Sequence, residues 1–213
     1  MKRTDLSAER IREALLPYGV SADPELCHGI RIYTETLLRW NEKVSLTTVT
    51  DPDEILRFHF GESFFAVSVA GITDGRVADI GTGAGFPGIP IRMVRRGVTL
   101  TLVEAIAKKA AFLGEILRNL AISDARIIRC RMEELPENLS SFNLVTARAL
   151  GNYEELLRWS KARISQNGSI MLLLGDSDAA KISKDRTWVW REPVQVPQSR
   201  SRLVLIGSIL NDK

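Results

Sequence analysis

From Asp79 to Gly88 the chain reads Asp-Ile-Gly-Thr-Gly-Ala-Gly-Phe-Pro-Gly, an acid followed by four glycines within eight positions. Glycine gives up the most backbone freedom on folding. A cluster this dense implies a backbone that turns sharply or approaches a ligand with no Cβ in the way. Two ligand classes use such a loop. Gly83, Gly85 and Gly88 satisfy the G-x-G-x-x-G spacing of a dinucleotide site, and Glu104 stands about 20 residues on, where a ribose-binding acid belongs. Asp79, Gly81, Gly83 and Gly85 equally form the acid-x-Gly-x-Gly-x-Gly run of an S-adenosylmethionine site. Two features favour the second. Asp79 would repel a pyrophosphate but hold the cationic amino group of a methionine. Pro87 removes one N–H donor that a pyrophosphate would use at the start of the next helix. Glu104 can accept both hydroxyls of an adenosyl ribose. Further along, the backbone at Met132 and the side chain of Glu133 are placed to meet an adenine edge. Arg148 offers a guanidinium to a phosphate or a base, and at a ligand-facing edge it would serve methyl transfer more than folding.

These residues need elements to hold them. Residues 76–80 read as a short apolar strand, 86–97 as a helix stopped by Gly97, and 98–104 as a strand of alternating β-branched and apolar residues. A helix over 105–120, strands over 125–130 and 142–149, a helix over 152–164 and a nearly all-apolar strand over 168–175 follow. Two last strands, 187–190 and 201–208, have no helix between them and predict an antiparallel hairpin at one edge. Alternating strands and helices predict an α/β fold of the Rossmann kind, with a mostly parallel seven-stranded sheet covered on both faces. The glycine loop, Glu104, Met132 and Arg148 then follow successive strands, at the carboxyl edge where such sheets bind ligands. The first 72 residues read as helical and predict an extension packed on a domain over 73–213. Leu26, Ile30, Tyr33, Leu37 and Trp40 fall on one helical face behind Pro24, and Asp51 and Pro52 open another helix.

Composition excludes several classes. Apolar content of 45% and charged content of 26% suit a globular core. Cys27 and Cys130 lie far apart, which argues for a reducing compartment and against a disulfide framework. The charged start lacks the apolar stretch of a secretion signal, and the greasiest run, FFAVSVAGI, is too short to span a bilayer. The reading is a soluble cytoplasmic protein with no membrane partner. No His/Cys/Asp cluster has metal-ligand spacing, and nothing implies an oligomer. Net charge is only +3, but residues 92–131 hold nine lysines and arginines against three acids, and residues 181–213 seven against three. That imbalance fits a polyanionic partner such as RNA.

WNEKVSLTTVTDPDEILRFHFGES, DIGTGAGFPGIP, LVEAIAKKAAFL, RMEEL and VTARAL together resemble the RsmG (GidB, glucose-inhibited division protein B) methyltransferases, in order over roughly residues 41–175. The Gly-Phe-Pro-Gly-Ile-Pro continuation is the specific part. The resemblance implies a Rossmann-like S-adenosylmethionine-dependent methyltransferase fold. It also implies methyl transfer to N7 of a guanine in 16S ribosomal RNA, free or within the small ribosomal subunit. By motif it places cofactor contacts at Gly81, Phe86, Met132, Glu133 and Arg148. His59 lies in a family-like segment. Three positions depart from the family pattern: Ser45 stands for an asparagine, Glu62 for an aspartate, and Leu174 for a lysine.

Guanine N7 carries an in-plane lone pair and no proton, so its methylation needs positioning and electrostatics rather than a general base. The sequence agrees, offering no obvious catalytic dyad. Cytosine C5 chemistry would use a nucleophilic cysteine after proline, and neither cysteine follows one. Adenine amino methylation would use an Asn/Asp-Pro-Pro-aromatic turn where ARALG stands. Three other readings stay open. They are a divergent paralogue that binds S-adenosylmethionine or RNA without this activity, a methyltransferase acting on another nucleotide, and a nicotinamide-dependent oxidoreductase.

Overall fold

The structure, a computed structural model, describes residues 6–148 and 151–209. The first five residues of the expected N-terminal helix, and Ala149 and Leu150 of the VTARAL run, lie outside the described residues. Three stretches of helix come first: α1 (Ala8–Leu15), α2 (Pro24–Asn41), and a run that begins as α3 (Pro52–Ile55) and ends as α4 (Glu62–Ala70). Side-chain caps fix their starts. Asp23 accepts the N–H of Leu26, and Asp51 those of Asp53 and Glu54, each just ahead of a proline at the first helical position. Between α3 and α4, Leu56–Gly61 is wound as a π-helix, a wide turn characteristic of functional sites.

The sheet then alternates with helices: β1 (Asp74–Ile80), α5 (Gly88–Val94), β2 (Gly97–Val103), α6 (Ala107–Asn119), β3 (Ala125–Ile128), β4 (Phe142–Arg148), α7 (Tyr153–Lys161), β5 (Ile164–Gly175) and α8 (Asp176–Ile182). Three antiparallel pieces close it: β6 (Trp188–Trp190), β7 (Val194–Gln195) and β8 (Arg202–Ile209). The order is β3-β2-β1-β4-β5-β8-β6, parallel from β3 to β5, with β8 antiparallel to β5. The expected seven strands make up this path. The sheet has an eighth, since β7 pairs with β8 beside β6. Two residues are too few to show the period-2 pattern of a strand. The helix after the glycine loop begins at Gly88 rather than Phe86, because the loop keeps Phe86 and Pro87 outside the helix.

β1 lies between β2 and β4, and the chain leaves β1 toward one side and β4 toward the other. This is the switch point where an open α/β sheet forms its crevice. The alternation of buried residues divides the interior. Val77, Leu100, Leu144, Met171 and Val204 face one core, shared with Ile11, Ile30, Tyr33, Leu37 and Phe60 of the leading helices. Ala78, Val103, Val145, Leu172 and Leu205 face the other, under α7 and α8. The leading helices are thus built into one face of the sheet. The wide turn sits against Tyr18, and a Cβ at Gly61 would come within 2.5–2.7 Å of that buried ring. Gly61→Ala should therefore destabilise the fold by about 1–3 kcal/mol through overpacking, read as a lower urea midpoint at unchanged slope.

Candidate functional site

The loop after β1 folds around the Asp79 carboxylate. Asp79 is fully buried, and its Oδ2 accepts the Thr82 hydroxyl at 2.6 Å and the Gly88 N–H at 2.9 Å. Its Oδ1 has no hydrogen-bond partner among the described residues. Gly81, Gly83 and Gly85 have φ of 62°, 57° and 87°, the left-handed region that favours glycine. The glycines then divide by what they face. A Cβ at Gly85 would strike the Tyr33 hydroxyl, and one at Gly88 would lie 2.6 Å from Asp79 Oδ2, so both are required by protein packing. A Cβ at Gly83 would meet nothing closer than 3.8 Å, and Gly81 is exposed. Those two form the open face of the loop.

Most N–H groups of the loop are already engaged. Thr82 donates to Val103 O, Gly83 to Glu104 Oε2, Gly85 to Thr82 O, and Ile89 to Gly85 O. With Gly88 bound to Asp79 and no N–H on Pro87, the start of α5 has little to offer a pyrophosphate. A buried carboxylate with one unpartnered oxygen fits a cationic group. Glu104 closes β2 and is 6% exposed. Each of its oxygens accepts one backbone N–H, from Gly83 at 3.0 Å and Ile106 at 2.8 Å, which fixes the carboxylate with lone pairs to spare. Met132–Glu134 form a 3₁₀ turn after β3, with Met132 buried in the second core and Glu133 exposed.

Phe86 is 3% exposed and points into the leading helices. Its ring stacks on Tyr33 at 4.9 Å and meets Phe60 edge-on at 5.1 Å, so only its backbone belongs to the loop surface. Tyr33 anchors the loop by donating its hydroxyl to Ala84 O at 2.5 Å. Arg148, at the end of β4, lies with its guanidinium carbon 5.7 Å over the Phe86 ring. It donates to Phe58 O and to His59 Nδ1, both at 2.9 Å, and pairs with Glu62 at 3.7 Å. Since arginine only donates, His59 Nδ1 must accept, and Nε2 carries the proton toward Thr47 Oγ1 at 2.8 Å. Burial, reinforced by Arg148, pushes His59 down to about 3, so the ring is neutral. The Arg148 side chain is only 17% exposed, and its removal would leave the buried Glu62 short of a partner. Arg148 is therefore a structural residue as well as a candidate site residue.

Asp79, Gly81, Gly83, Phe86 and Glu104 meet around one loop, and Arg148 adjoins it through Phe86. Met132 and Glu133 follow the neighbouring β3. Sequence reasoning missed Thr47, Phe58, Arg202 and Tyr33 as site neighbours. With His59 and Arg148, the first three line a cavity of about 490 Å³. No local spacing links Thr47 to Arg202. A larger groove of about 950 Å³ lies at the amino ends of the strands, lined by the chain just before β2 and β3, and excludes the glycine loop. Among the described residues no cluster of His, Cys, Asp or Glu is arranged to hold a metal, and no helix is long and apolar enough to cross a membrane.

This architecture is that of the S-adenosylmethionine-dependent methyltransferases. A SAM dependent methyltransferase from Aquifex aeolicus superposes with a TM-score of 0.64 at 14% identity, over 78% of this chain and 97% of that one. Ribosomal protein L11 methylase from Lactobacillus delbrueckii subsp. bulgaricus superposes at 0.61 and 14% identity, over 72% and 79%. The chain belongs to the GidB family, rRNA small subunit methyltransferase G, whose family model matches residues 26–201. Ribosomal RNA small subunit methyltransferase G of Roseiflexus sp. (strain RS-1) is 30% identical over 204 residues, covering 90% of this chain and 87% of its own. That of Aquifex aeolicus (strain VF5) is 38% identical over 151 residues, covering 68% and 75%.

The two kinds of loop glycine separate in mutants. Gly85→Ala should lower the thermal midpoint severely by driving a methyl into Tyr33. Gly83→Ala should cost about 1 kcal/mol of stability from the positive φ alone. Calorimetry should show its effect in affinity for S-adenosylmethionine instead. Asp79 gives a pH signature. Burial pushes its carboxyl up to about 7, against the hydrogen bonds from Thr82 and Gly88. An unfolded aspartate ionises near 3.8, so the stability from neutral Asp79 is whole below about pH 4 and lost as pH rises through about 7. Urea unfolding at a series of pH values should show Asp79→Asn gaining on the parent across that window. A constant difference would remove the assignment.

Proposed function

We propose that this protein transfers a methyl group from S-adenosylmethionine to N7 of a guanine in 16S ribosomal RNA. The observation that carries the reading is the glycine loop folded on a buried aspartate, open at Gly81 and Gly83, in a chain of the rRNA small subunit methyltransferase G family. Bound there, S-adenosylmethionine supplies an electrophilic methyl on a sulfonium. Asp79, poised at about 7, is drawn into its charged form by the cationic methionine amino group, and Gly81 and Gly83 give the backbone access. Glu104 receives the ribose hydroxyls, and Met132 and Glu133 border the adenine. Phe86 contributes its main chain. Arg148, held beside the loop, orients the incoming nucleotide from the side. A cation in line with the methyl would oppose the positive charge that develops on the base. Guanine N7 brings its own lone pair, so the neutral, already hydrogen-bonded His59 has no proton to remove.

The basic segments 92–131 and 181–213 support an RNA partner, reached as free RNA or within the small subunit in the cytoplasm. The test is mapping N7-methylguanine in 16S ribosomal RNA from cells with and without the gene. Loss of one modified guanine supports the reading, and an unchanged map overturns it. Arg148→Lys keeps a cation near Glu62 but cannot reproduce the fork to Phe58 and His59. It should fold, and its turnover on small subunits should fall roughly 10- to 100-fold through misplacement.

A further inference from the structure

The cavity beside Arg148 has no assigned role. Its walls are the loop 45–49, Phe58 and His59, and the two arginines Arg148 and Arg202. At about 490 Å³ it is of ligand-binding size, within the usual range of about 300–1,000 Å³. Its charge is one-sided. Arg148 and Arg202 share one carboxylate, Glu62, which is 2% exposed and lies 3.7 Å from Arg148 and 3.9 Å from Arg202. The Glu62 oxygen nearer Arg202 has no hydrogen-bond partner among the described residues, so that contact is a loose ion pair. Arg202 is half exposed, and its guanidinium donates no hydrogen bond among the described residues. Burial keeps the third basic group, His59, neutral. The cavity therefore carries an excess positive charge centred on a guanidinium with donors to spare. Its other walls suit a base. Phe58 is half-buried and belongs to neither hydrophobic core, unlike Phe60 and Phe64 beside it. Ser45, Thr47 and Thr48 add hydroxyls along one side.

Resting on the methyltransferase reading above, we propose that this cavity receives a single unstacked nucleotide of the RNA, its base against Phe58 and its phosphate on Arg202. An aromatic face, an arginine and short polar side chains are the set that single-stranded RNA bases and phosphates require. The position agrees, because Arg148 borders both the cavity and the Phe86 ring that follows the glycine loop. Two of the three departures from the family pattern fall here. Ser45 lines the cavity and Glu62 lies behind its arginines, whereas Leu174 is buried in the second core.

The test uses the full-length protein and small ribosomal subunits from cells lacking the gene. Phe58→Leu and Arg202→Gln should each lower kcat/KM for the subunits about 10-fold, with S-adenosylmethionine affinity within about twofold of the parent. Phe58→Tyr, which keeps the aromatic face, should retain parent activity, whereas Phe58→Met, which keeps an apolar side chain without a ring, should not. Arg202→Gln should also reduce the salt slope of subunit binding by about one. Parent-like kcat/KM in both Phe58→Leu and Arg202→Gln overturns the proposal and leaves the methyltransferase reading standing. If the parent methylates nothing, that reading fails by itself, and filter retention of the same subunits decides the cavity. Weaker retention of both variants sustains it, and equal retention overturns it. Should Phe58→Leu or Arg202→Gln melt early, Phe58→Met and Arg202→Met take their place with the same two outcomes: weaker subunit binding sustains the proposal and parent-like binding overturns it.

Discussion

A single buried carboxylate organises the glycine-rich edge of this protein. Asp79 sits at the end of the central strand with no access to water, and the chain after it bends back to place the Thr82 hydroxyl and the Gly88 N–H on one oxygen. A buried polar group without such donors would be costly, so the loop has little freedom to open. The bend needs positive φ at three alternate positions and a hydrogen atom in place of a side chain at Gly88. The glycines are a consequence of where the acid lies. The same closure leaves a backbone edge with Gly81 exposed and Gly83 half-buried among the described residues.

The leading helices hold this edge from behind. Tyr33 reaches from α2 to the Ala84 carbonyl, Phe86 packs against both Tyr33 and Phe60, which also touch each other, and Arg148 lies across the Phe86 ring. One aromatic stack thus ties the loop after β1, the end of β4 and the helical segment together. A displacement of any one is felt by the others, because close-packed aromatic rings transmit strain. The electrostatics follow the same economy of parts. Glu62 and His59 both come from the turn around residue 60, one as the counter-charge and one as the neutral acceptor for Arg148.

The elements that local pattern dictates were legible in the sequence. Strand and helix alternation, the helix start at Pro24, the cap at Asp51, and the placement of Asp79, Glu104 and Arg148 at strand ends all follow from periodicity and turn chemistry. The roles within the loop were not legible. Four glycines look alike in a sequence, yet Gly85 and Gly88 answer to Tyr33 and Asp79, while Gly83 has room for a Cβ and Gly81 is exposed. Phe86 read as part of the ligand loop, and its ring turned out to serve the core. Glu62 and Arg202 meet across 140 positions, a distance at which no spacing rule operates. The two-residue β7 fell below the length at which alternation exists.

The π-wound stretch Leu56–Gly61 has a meaning for how this site could change over generations. A wide turn carries one residue more than an α-helical turn of the same rise, so it can be gained or lost as a single-residue insertion or deletion without breaking the helix. Each residue advances an α-helix by about 100°. Losing one residue here would leave a continuous rod from Pro52 to Ala70 and swing Phe58 and His59 by that angle relative to Glu62. The helix would run on unbroken, while the imidazole and the carboxylate would no longer address the same guanidinium. Single-codon length change within these six positions is thus a route by which a descendant could re-aim the Arg148 guanidinium.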